Sequence, residues 1–204
     1  MTEKKLYNIT VVIPVYNSEQ SLRPLTDRLI PVLDKICDHY ELIFVNDGST
    51  DKSWDIICDL KRQFPWIKSI NLMQNFGQHN ALLCGIREAE HETIITMDDD
   101  LQHPPEEIPN LLVKLEEGHD VVYGTPVKET HGIWRNVASR FIKLTLYIVM
   151  KTPVALHVSA FRAFKTQIRR AFENYQSPYV SIDVLLSWGT KRFTVVSVKH
   201  SSRE

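Results

Sequence analysis

Alternation of short apolar runs with helix-period segments is the feature that most restricts the fold of this chain. The apolar runs, predicted as strands, are Ile9–Val15, Glu41–Asn46, Ile67–Leu72, Thr93–Met97 and Asp120–Tyr123. The helical segments between them are Ser21–Ile36, Ser53–Gln63, Gln78–Ala89 and Glu106–Glu117. Repeated βα units with nearly continuous apolar strands are typical of a mostly parallel sheet flanked by helices. We therefore predict an α/β fold of this kind.

The rest of the chain is less regular. We predict a long amphipathic helix, a short strand, a second helix and a last strand, in this order: Trp134–Met150, Ala160–Phe164, Ser181–Trp188 and Phe193–Val198. A mobile segment, Thr125–Gly132, is predicted between the two halves. Because 204 residues with 43% hydrophobic side chains are enough for one well-buried core, we expect residues 1–204 to form a single domain.

Composition argues against some partners and compartments. The 24 Lys and Arg residues nearly balance the 25 Asp and Glu residues, so no general attraction to nucleic acid is expected. The cysteines, Cys37, Cys58 and Cys84, lack metal-type spacing and are predicted to be buried, reduced thiols of a cytoplasmic protein. The polar start leaves no room for a signal peptide, and the longest apolar run, Leu144–Met150, is too short to span a membrane. We expect a soluble or peripheral chain, and we leave open whether it forms a homo-oligomer.

Polar residues follow three of the predicted strands. Tyr16–Glu19 follows the first strand, Asp47–Ser49 follows the second, and Asp98–Asp100 follows the fourth. Because ligands of such sheets collect beyond the carboxyl ends of the strands, these loops are expected to converge on one site. Asp47 is placed to accept hydrogen bonds from a base or ribose, while Gly48 permits a tight turn. An ordinary Asp-Gly turn explains the same pair.

Three consecutive carboxylates end the fourth strand. Like charges at the lip of a buried strand are unfavourable unless a cation sits there. Asp98 and Asp100 project to the same side of an extended segment, and Gln102 can add a neutral oxygen, so one Mg or Mn ion is predicted. Such an ion would hold a pyrophosphate. A solvated acidic turn, or a helix N-cap before Pro104, is the simpler alternative.

Four motifs together resemble glycosyltransferase family 2 over nearly the whole chain. They are Val12–Asn17, Val45–Ser49, Asn75–His79 and Met97–Glu106, in the family's order. The chain is most similar to the polyprenyl-phosphate glycosyltransferases, which include dolichol-phosphate mannose synthase and undecaprenyl-phosphate glucose and formamido-arabinose transferases. Asn75–His79 and the ending Val198–Glu204 look closest to the formamido-arabinose branch.

The resemblance implies a GT-A fold and metal-dependent, inverting transfer of a sugar from a nucleotide-sugar donor to polyprenyl phosphate. It implies a nucleotide-sugar site made of Pro14, Tyr16, Asn17, Glu19, Asp47, Asp98, Asp99 and Arg203. It implies metal ligands at Asp98, Asp100 and Gln102, and catalytic roles for Asp98, Asp100, Arg162 and Asp183. Arg162 matches an arginine suited to phosphate, for which a surface salt bridge is the alternative.

The chain departs from the family pattern in two places. Many relatives carry an arginine soon after the fifth strand, where this chain has Pro126; either Lys128 or Arg135 substitutes, or the contact is missing. The membrane helices usual in the undecaprenyl branch, and the Gly-x-Ser loop expected after Arg203, are absent up to Glu204. We therefore expect a trimmed chain.

The acceptor is the main open choice. A lipid phosphate has a second pKa of roughly 6, so it needs no general base at neutral pH. A saccharide hydroxyl does need one, and Asp183 lies where hydroxyl-using relatives place it. An acid in the first turn of a helix, favoured by the helix dipole, is the simpler interpretation of Asp183.

A receiver-type phosphorylation module also gathers aspartates at strand ends, but it leaves the residues after Tyr123 unexplained, and Val12–Pro14 replaces its first acidic pair.

The mixed aromatic, basic and apolar residues of the predicted helix Trp134–Met150 suit a membrane interface or an ordinary core equally. With a lipid acceptor, the expected location is the cytoplasmic side of the cell membrane.

Overall fold

The computed structural model describes residues 6–126 and 153–199. In this part of the chain the strands are β1 Tyr7–Val15, β2 Cys37–Asn46, β3 Ile67–Asn71, β4 Thr93–Thr96, β5 Val121–Pro126, β6 Arg162–Lys165 and β7 Phe193–Val198. The α-helices are α1 Leu22–Ile36, α2 Ser53–Gln63, α3 Gln78–Glu88, α4 Ile108–Glu116 and α5 Ile182–Gly189. Short 3₁₀ helices cover Pro105–Glu107, Pro153–His157 and Thr166–Phe172.

The seven strands form one sheet in the order β3-β2-β1-β4-β6-β5-β7. The pairs β1/β2, β1/β4, β2/β3 and β5/β7 are parallel. Strand β6 runs antiparallel to both of its neighbours, β4 and β5. The predicted α/β fold with a mostly parallel central sheet is therefore confirmed.

Helices cover both faces of the sheet, and each face has its own apolar core. Along β1, Val11 and Ile13 face the core that α1, α2 and α4 cover, whereas Val12 faces the core under α3 and α5. Alternate residues of a strand point to opposite faces, so a central strand covered on both sides is apolar throughout. In α3, Gly85 allows close approach, since a Cβ there would lie 2.4 Å from Val12 Cγ1.

Most predicted elements are present, with shifted ends. Strand β2 begins at Cys37 rather than Glu41, and the predicted helix Glu106–Glu117 is a 3₁₀ turn followed by α4. Thr125 and Pro126 belong to β5, so the predicted mobile segment is wrong at these two positions. Residues 127–132 of that segment, including Lys128, lie outside the described residues, as do Arg135, the helix predicted over 134–150 and Arg203.

The structure bears on two predictions made from composition, the burial of the cysteines and the lack of a membrane span. All three cysteines are free, but only Cys37 is buried; Cys58 and Cys84 are partly exposed, so full burial was wrong for these two. Within residues 6–126 and 153–199, no helix has the length and apolar character that crossing a membrane requires. The single domain over residues 1–204 stays a prediction.

Candidate functional site

A cleft opens at the carboxyl ends of β1, β2 and β4. One cavity, of about 290 Å³, is lined by Pro14, Val15, Tyr16, Asp47, Asn75, Gly77, Gln78, Asp98, Asp99 and Asp100. A second cavity, of about 530 Å³, shares Asp99 and Asp100 with the first and includes Asn17, Glu19 and Asp51. The structure therefore brings together eight of the residues predicted for the site. Gln102 is not among the residues that line these two cavities, and its role as a ligand stays a prediction.

The acidic segment turns sharply after β4. The strand ends at Thr96, and Met97 still donates its backbone N–H to the Val12 carbonyl at 3.4 Å. Leu101 then adopts a left-handed conformation with φ of 61°. One oxygen of Asp100 accepts the backbone N–H of Gln102 at 3.1 Å. In this turn an aspartate side chain accepts the N–H two residues on, which orients Asp100 and fixes the backbone just after the three acids.

Like charge and partial burial strain the acidic segment electrostatically. Burial, followed by the charge of Asp100, raises the pKa of Asp98 to about 6, although Arg162 and Gln78 oppose the rise. Burial also raises the pKa of Asp99, against a hydrogen bond with Ser18. The ionised forms of Asp98 and Asp99 are therefore disfavoured in this cleft. A bound cation would offset this effect.

The residues at the cleft fit a divalent cation that is shared with a ligand. In the part of the chain that the structure describes, no three His, Cys, Asp or Glu side chains gather into a metal site. Asp98 and Asp100 line one cavity, and Asp99 Oδ2 is buried without a hydrogen-bond partner among the described groups. Carboxylate oxygens suit Mg or Mn, and both ions complete their coordination with phosphate and water. Two acids plus a diphosphate form a sufficient donor set.

Asp47 is a buried residue that lines the first cavity and contacts the loop after β3. Its two oxygens accept the backbone N–H groups of Phe76 at 2.7 Å and Gly77 at 2.9 Å. Gly48 adopts φ of +69°, and a Cβ there would lie 2.6 Å from Asn75 N. The carboxylate thus organises this loop as well as lining the cavity. Its contact with a base or ribose stays a prediction.

Asn17 and Glu19 join the β1–α1 loop to the β2–α2 loop. The side-chain oxygen of Asn17 accepts the Thr50 N–H at 2.8 Å. Glu19 accepts the Lys52 N–H at 2.9 Å, and Asp51 accepts the Glu19 N–H at 3.1 Å. These bonds fix the rim of the second cavity. The contacts that the structure describes for Asn17 and Glu19 join two loops, and nucleotide binding by these two residues stays a prediction.

Arg162 and Asp183 form a buried ion pair behind Asp98. The guanidinium donates to Asp183 Oδ1 at 2.7 Å, and the Tyr123 hydroxyl donates to the same oxygen at 2.8 Å. Arg162 does form a salt bridge, but the residue is only 2% exposed. The alternative of a salt bridge at the surface was therefore wrong. Register pairs Arg162 with Thr96, which places its charge near Asp98. Asp183 is indeed an acid in the first turn of α5.

Two residues of the site were missed as individual functional candidates. Gln78 donates its amide N–H to Asp98 Oδ1 at 2.5 Å. His79 accepts the Ile182 N–H on Nδ1 at 3.3 Å, and burial, followed by the charge of Arg162, lowers its pKa. Both lie in the Asn75–His79 motif that carried part of the family resemblance. That motif was the available signal, but the bond of Gln78 spans 20 residues and that of His79 spans 103, so the motif does not reveal their partners.

Known proteins with the same architecture were found by sequence and by structure. The family model described as glycosyl transferase family 2 matches residues 10–176. An undecaprenyl-phosphate 4-deoxy-4-formamido-L-arabinose transferase of Photorhabdus laumondii is 33% identical over 205 residues, which are 100% of this chain and 63% of that protein. The protein of the same name from Proteus mirabilis is 35% identical with the same coverage. The chain thus spans about 63% of the length of these relatives.

Solved structures share the fold at lower identity. Glucosyl-3-phosphoglycerate synthase from Mycobacterium tuberculosis, in complex with Mn²⁺, UDP-glucose and phosphoglyceric acid, superposes with a TM-score of 0.68 at 19% identity; the match covers 97% of this chain and 72% of that one. TarS 1–349 from S. aureus in complex with UDP gives 0.64 at 19% identity and covers 95% and 59%. These likenesses confirm the predicted GT-A fold. With its motifs, sheet and acidic cleft, the chain belongs to glycosyl transferase family 2.

Proposed function

We propose that this protein is an inverting glycosyltransferase that moves a sugar from a nucleotide-sugar donor to undecaprenyl phosphate with the help of Mg or Mn. The observation that carries the proposal is the pairing of Asp98 and Asp100 in one cavity with Tyr16 and Asp47. The names of the curated relatives support the lipid acceptor. Their names also make a 4-deoxy-4-formamido-L-arabinose donor the first one to test.

In this mechanism the leaving group is a nucleoside diphosphate. A divalent cation, when bound, would neutralise the negative charge that grows on the diphosphate as the glycosidic bond breaks. Asp98 and Asp100 would hold that ion. Tyr16, half exposed at the rim, and Asp47 line the cavity for the nucleoside. Arg162 stays buried and favours the ionised form of Asp98, which is the form that binds a metal.

The state of Asp183 favours a phosphate acceptor over a hydroxyl acceptor. A saccharide hydroxyl needs a base that can reach it. The side chain of Asp183 is only 8% exposed, and its Oδ1 already accepts hydrogen bonds from Arg162 and Tyr123. An ionised lipid phosphate attacks without a base, so the protein need only align the two substrates. Extension of a polysaccharide, with Asp183 as base, is the second candidate.

A lipid acceptor places the reaction at a membrane surface. We propose that the protein acts at the cytoplasmic side of the cell membrane, where nucleotide sugars and the lipid phosphate meet. A homo-oligomer stays a prediction that is compatible with this proposal.

One experiment separates the candidates. The protein is incubated with a panel of nucleotide sugars and with undecaprenyl phosphate, a saccharide acceptor or no acceptor, each with and without EDTA. The proposal expects a lipid-linked sugar of inverted anomeric configuration that EDTA abolishes and Mn²⁺ restores. Transfer only to the saccharide would favour the second candidate. Labelling by acetyl phosphate, without turnover of any nucleotide sugar, would favour the phosphorylation module and overturn the proposal.

A further inference from the structure

The first turn of α3 and the two residues before it are held at several points. The backbone N–H groups of Phe76 and Gly77 donate to the two oxygens of Asp47 at 2.7 and 2.9 Å. Asn80 donates its side-chain N–H to the Pro178 carbonyl at 3.3 Å and to the Phe76 carbonyl at 2.8 Å. The start of α3 is therefore tied to the end of β2 and to the loop before α5.

His79 adds a contact to α5. Its Nδ1 accepts the backbone N–H of Ile182, the first residue of α5, at 3.3 Å. Because the ring nitrogen accepts, the imidazole is neutral in this contact. The backbone of the first turn of α3 is thus fixed relative to both β2 and α5. A side chain that projects from this turn starts from a well-defined position.

Gln78 is that side chain. Its amide N–H donates to Asp98 Oδ1 at 2.5 Å. An ionised carboxylate only accepts hydrogen bonds, so the bond requires the NH₂ end of the amide. It restricts rotation of the carboxylate and leaves Oδ2 for another partner. Gln78 also lines the same cavity as Asp98 and Asp100.

The neighbouring groups do not supply the same support. Arg162 is close enough to affect Asp98 electrostatically, but its guanidinium donates to Asp183. Asp100 is oriented locally, through the backbone N–H of Gln102. Each acid of the pair therefore has its own orienting donor, and the donor on Asp98 comes from a different element of the fold.

We propose that Gln78 is a positioning residue that orients Asp98 for the divalent cation and raises the affinity of the site for it. The inference rests on the proposed function, because it assumes that Asp98 binds the metal together with a nucleoside diphosphate. Groups that hydrogen-bond a metal ligand fix its orientation, and their loss commonly weakens metal binding by about 10- to 100-fold. Gln78 would act on the metal only through Asp98.

The test compares Gln78→Met with Gln63→Met, a matched change at an exposed glutamine at the end of α2. Calorimetry measures Mn²⁺ binding in the presence of UDP and UDP binding without metal. We expect Gln78→Met to weaken Mn²⁺ binding by about 10- to 100-fold, with UDP binding in the absence of metal and the thermal midpoint unchanged. Gln63→Met should match the wild type in all three measurements. In turnover, the loss should be recovered largely by raising the Mn²⁺ concentration.

A second variant covers the case in which Gln78→Met does not fold. Gln78→Asn keeps the amide but is one methylene too short to reach Asp98, so it should weaken Mn²⁺ binding in the same direction. Mn²⁺ affinity within twofold of wild type in a folded variant would overturn the role of Gln78 while leaving the proposed function intact. Absence of Mn²⁺ uptake by the wild type in the presence of UDP would overturn both.

Discussion

The guanidinium of Arg162 and the carboxylate of Asp183 form an ion pair with an N–O distance of 2.7 Å, and their side chains are 3% and 8% exposed. Tyr123 completes the cluster: its hydroxyl donates to Asp183, and the guanidinium carbon lies 5.7 Å from the centroid of its ring. The pair joins β6 to the first turn of α5. Tyr123 belongs to the core under α3, and the charge of Arg162 acts on Asp98 of the acidic cleft.

Removing one partner of this pair should destabilise the protein strongly. Arg162→Met leaves a buried carboxylate without its counter-charge, and we expect the free energy of unfolding to fall by about 3–5 kcal/mol. Adding Asp183→Asn should restore part of the loss, because the buried charge is then gone. Urea unfolding measures both. The matched control is Arg23→Met, which breaks an exposed pair with Asp59 and should cost less than about 1 kcal/mol. An equal cost for both arginines would contradict the prediction.

Asp98 and Asp100, the two proposed metal ligands, should matter for function and not for folding. We expect Asp98→Asn and Asp100→Asn each to lower sugar transfer by about 10²- to 10³-fold. Each change removes a proposed ligand of the cation that would stabilise the negative charge growing on the diphosphate. The free energy of unfolding at pH 7 should stay equal or rise, because one of several like charges is removed. Asp38→Asn, at an exposed carboxylate of β2, serves as the control. Transfer at the wild-type rate by both cleft variants would contradict the proposed role.

Asp120 should contribute stability that disappears in acid. Burial alone would raise the pKa of Asp120, but hydrogen bonds from Arg192, Thr190 and Lys165 lower it to about 2. Since the folded pKa is the lower one, the contribution is fully present above the unfolded pKa near 4 and is lost as the pH falls toward 2. Because Arg192 is 63% exposed, we expect only about 1–2 kcal/mol at pH 7.

The measurement for Asp120 is urea unfolding of the wild type and Asp120→Asn at several pH values. The difference in unfolding free energy should be constant between pH 7 and pH 5 and should shrink below pH 4. A difference that persists unchanged at pH 2 would mean that the carboxylate charge does not carry the effect.

Gly48 should tolerate a side chain less well than another glycine with positive φ. Gly48→Ala meets both an unfavourable φ of +69° and backbone atoms of Gln74 and Asn75 at 2.6 Å, whereas Gly118 has φ of +98° and nothing within 4 Å of a built Cβ. We expect Gly48→Ala to cost about 1–3 kcal/mol more than Gly118→Ala. It should also weaken UDP binding, because the shifted loop contacts Asp47. Equal unfolding free energies and UDP affinities for both variants would show that the loop yields without cost.

Local sequence pattern was sufficient for most of the secondary structure. The predicted bounds of α2, Ser53–Gln63, match the structure, and α1 differs by one residue at its start. Hydrophobic periodicity is a property of neighbouring residues, so it can be read without knowing the fold. Strand β2 shows where this stops. Asp38 and His39 are polar and exposed, but the strand includes them because Cys37 and His39 pair with Tyr7 and Asn8 of β1, with Asp38 at an irregularity between the two pairs.

The family motifs and the run of aspartates determined, by sequence alone, the fold class, the acidic cleft and its place at the carboxyl edge of the sheet. The tertiary structure decided which groups hold the cleft together. The bonds from Gln78 to Asp98 and from Arg162 to Asp183 span 20 and 21 residues, and that from Gly77 to Asp47 spans 30. No local pattern encodes such pairs. They form only because the sheet places β2, β4 and β6 close together and the packing of α3 and α5 brings their first turns into contact.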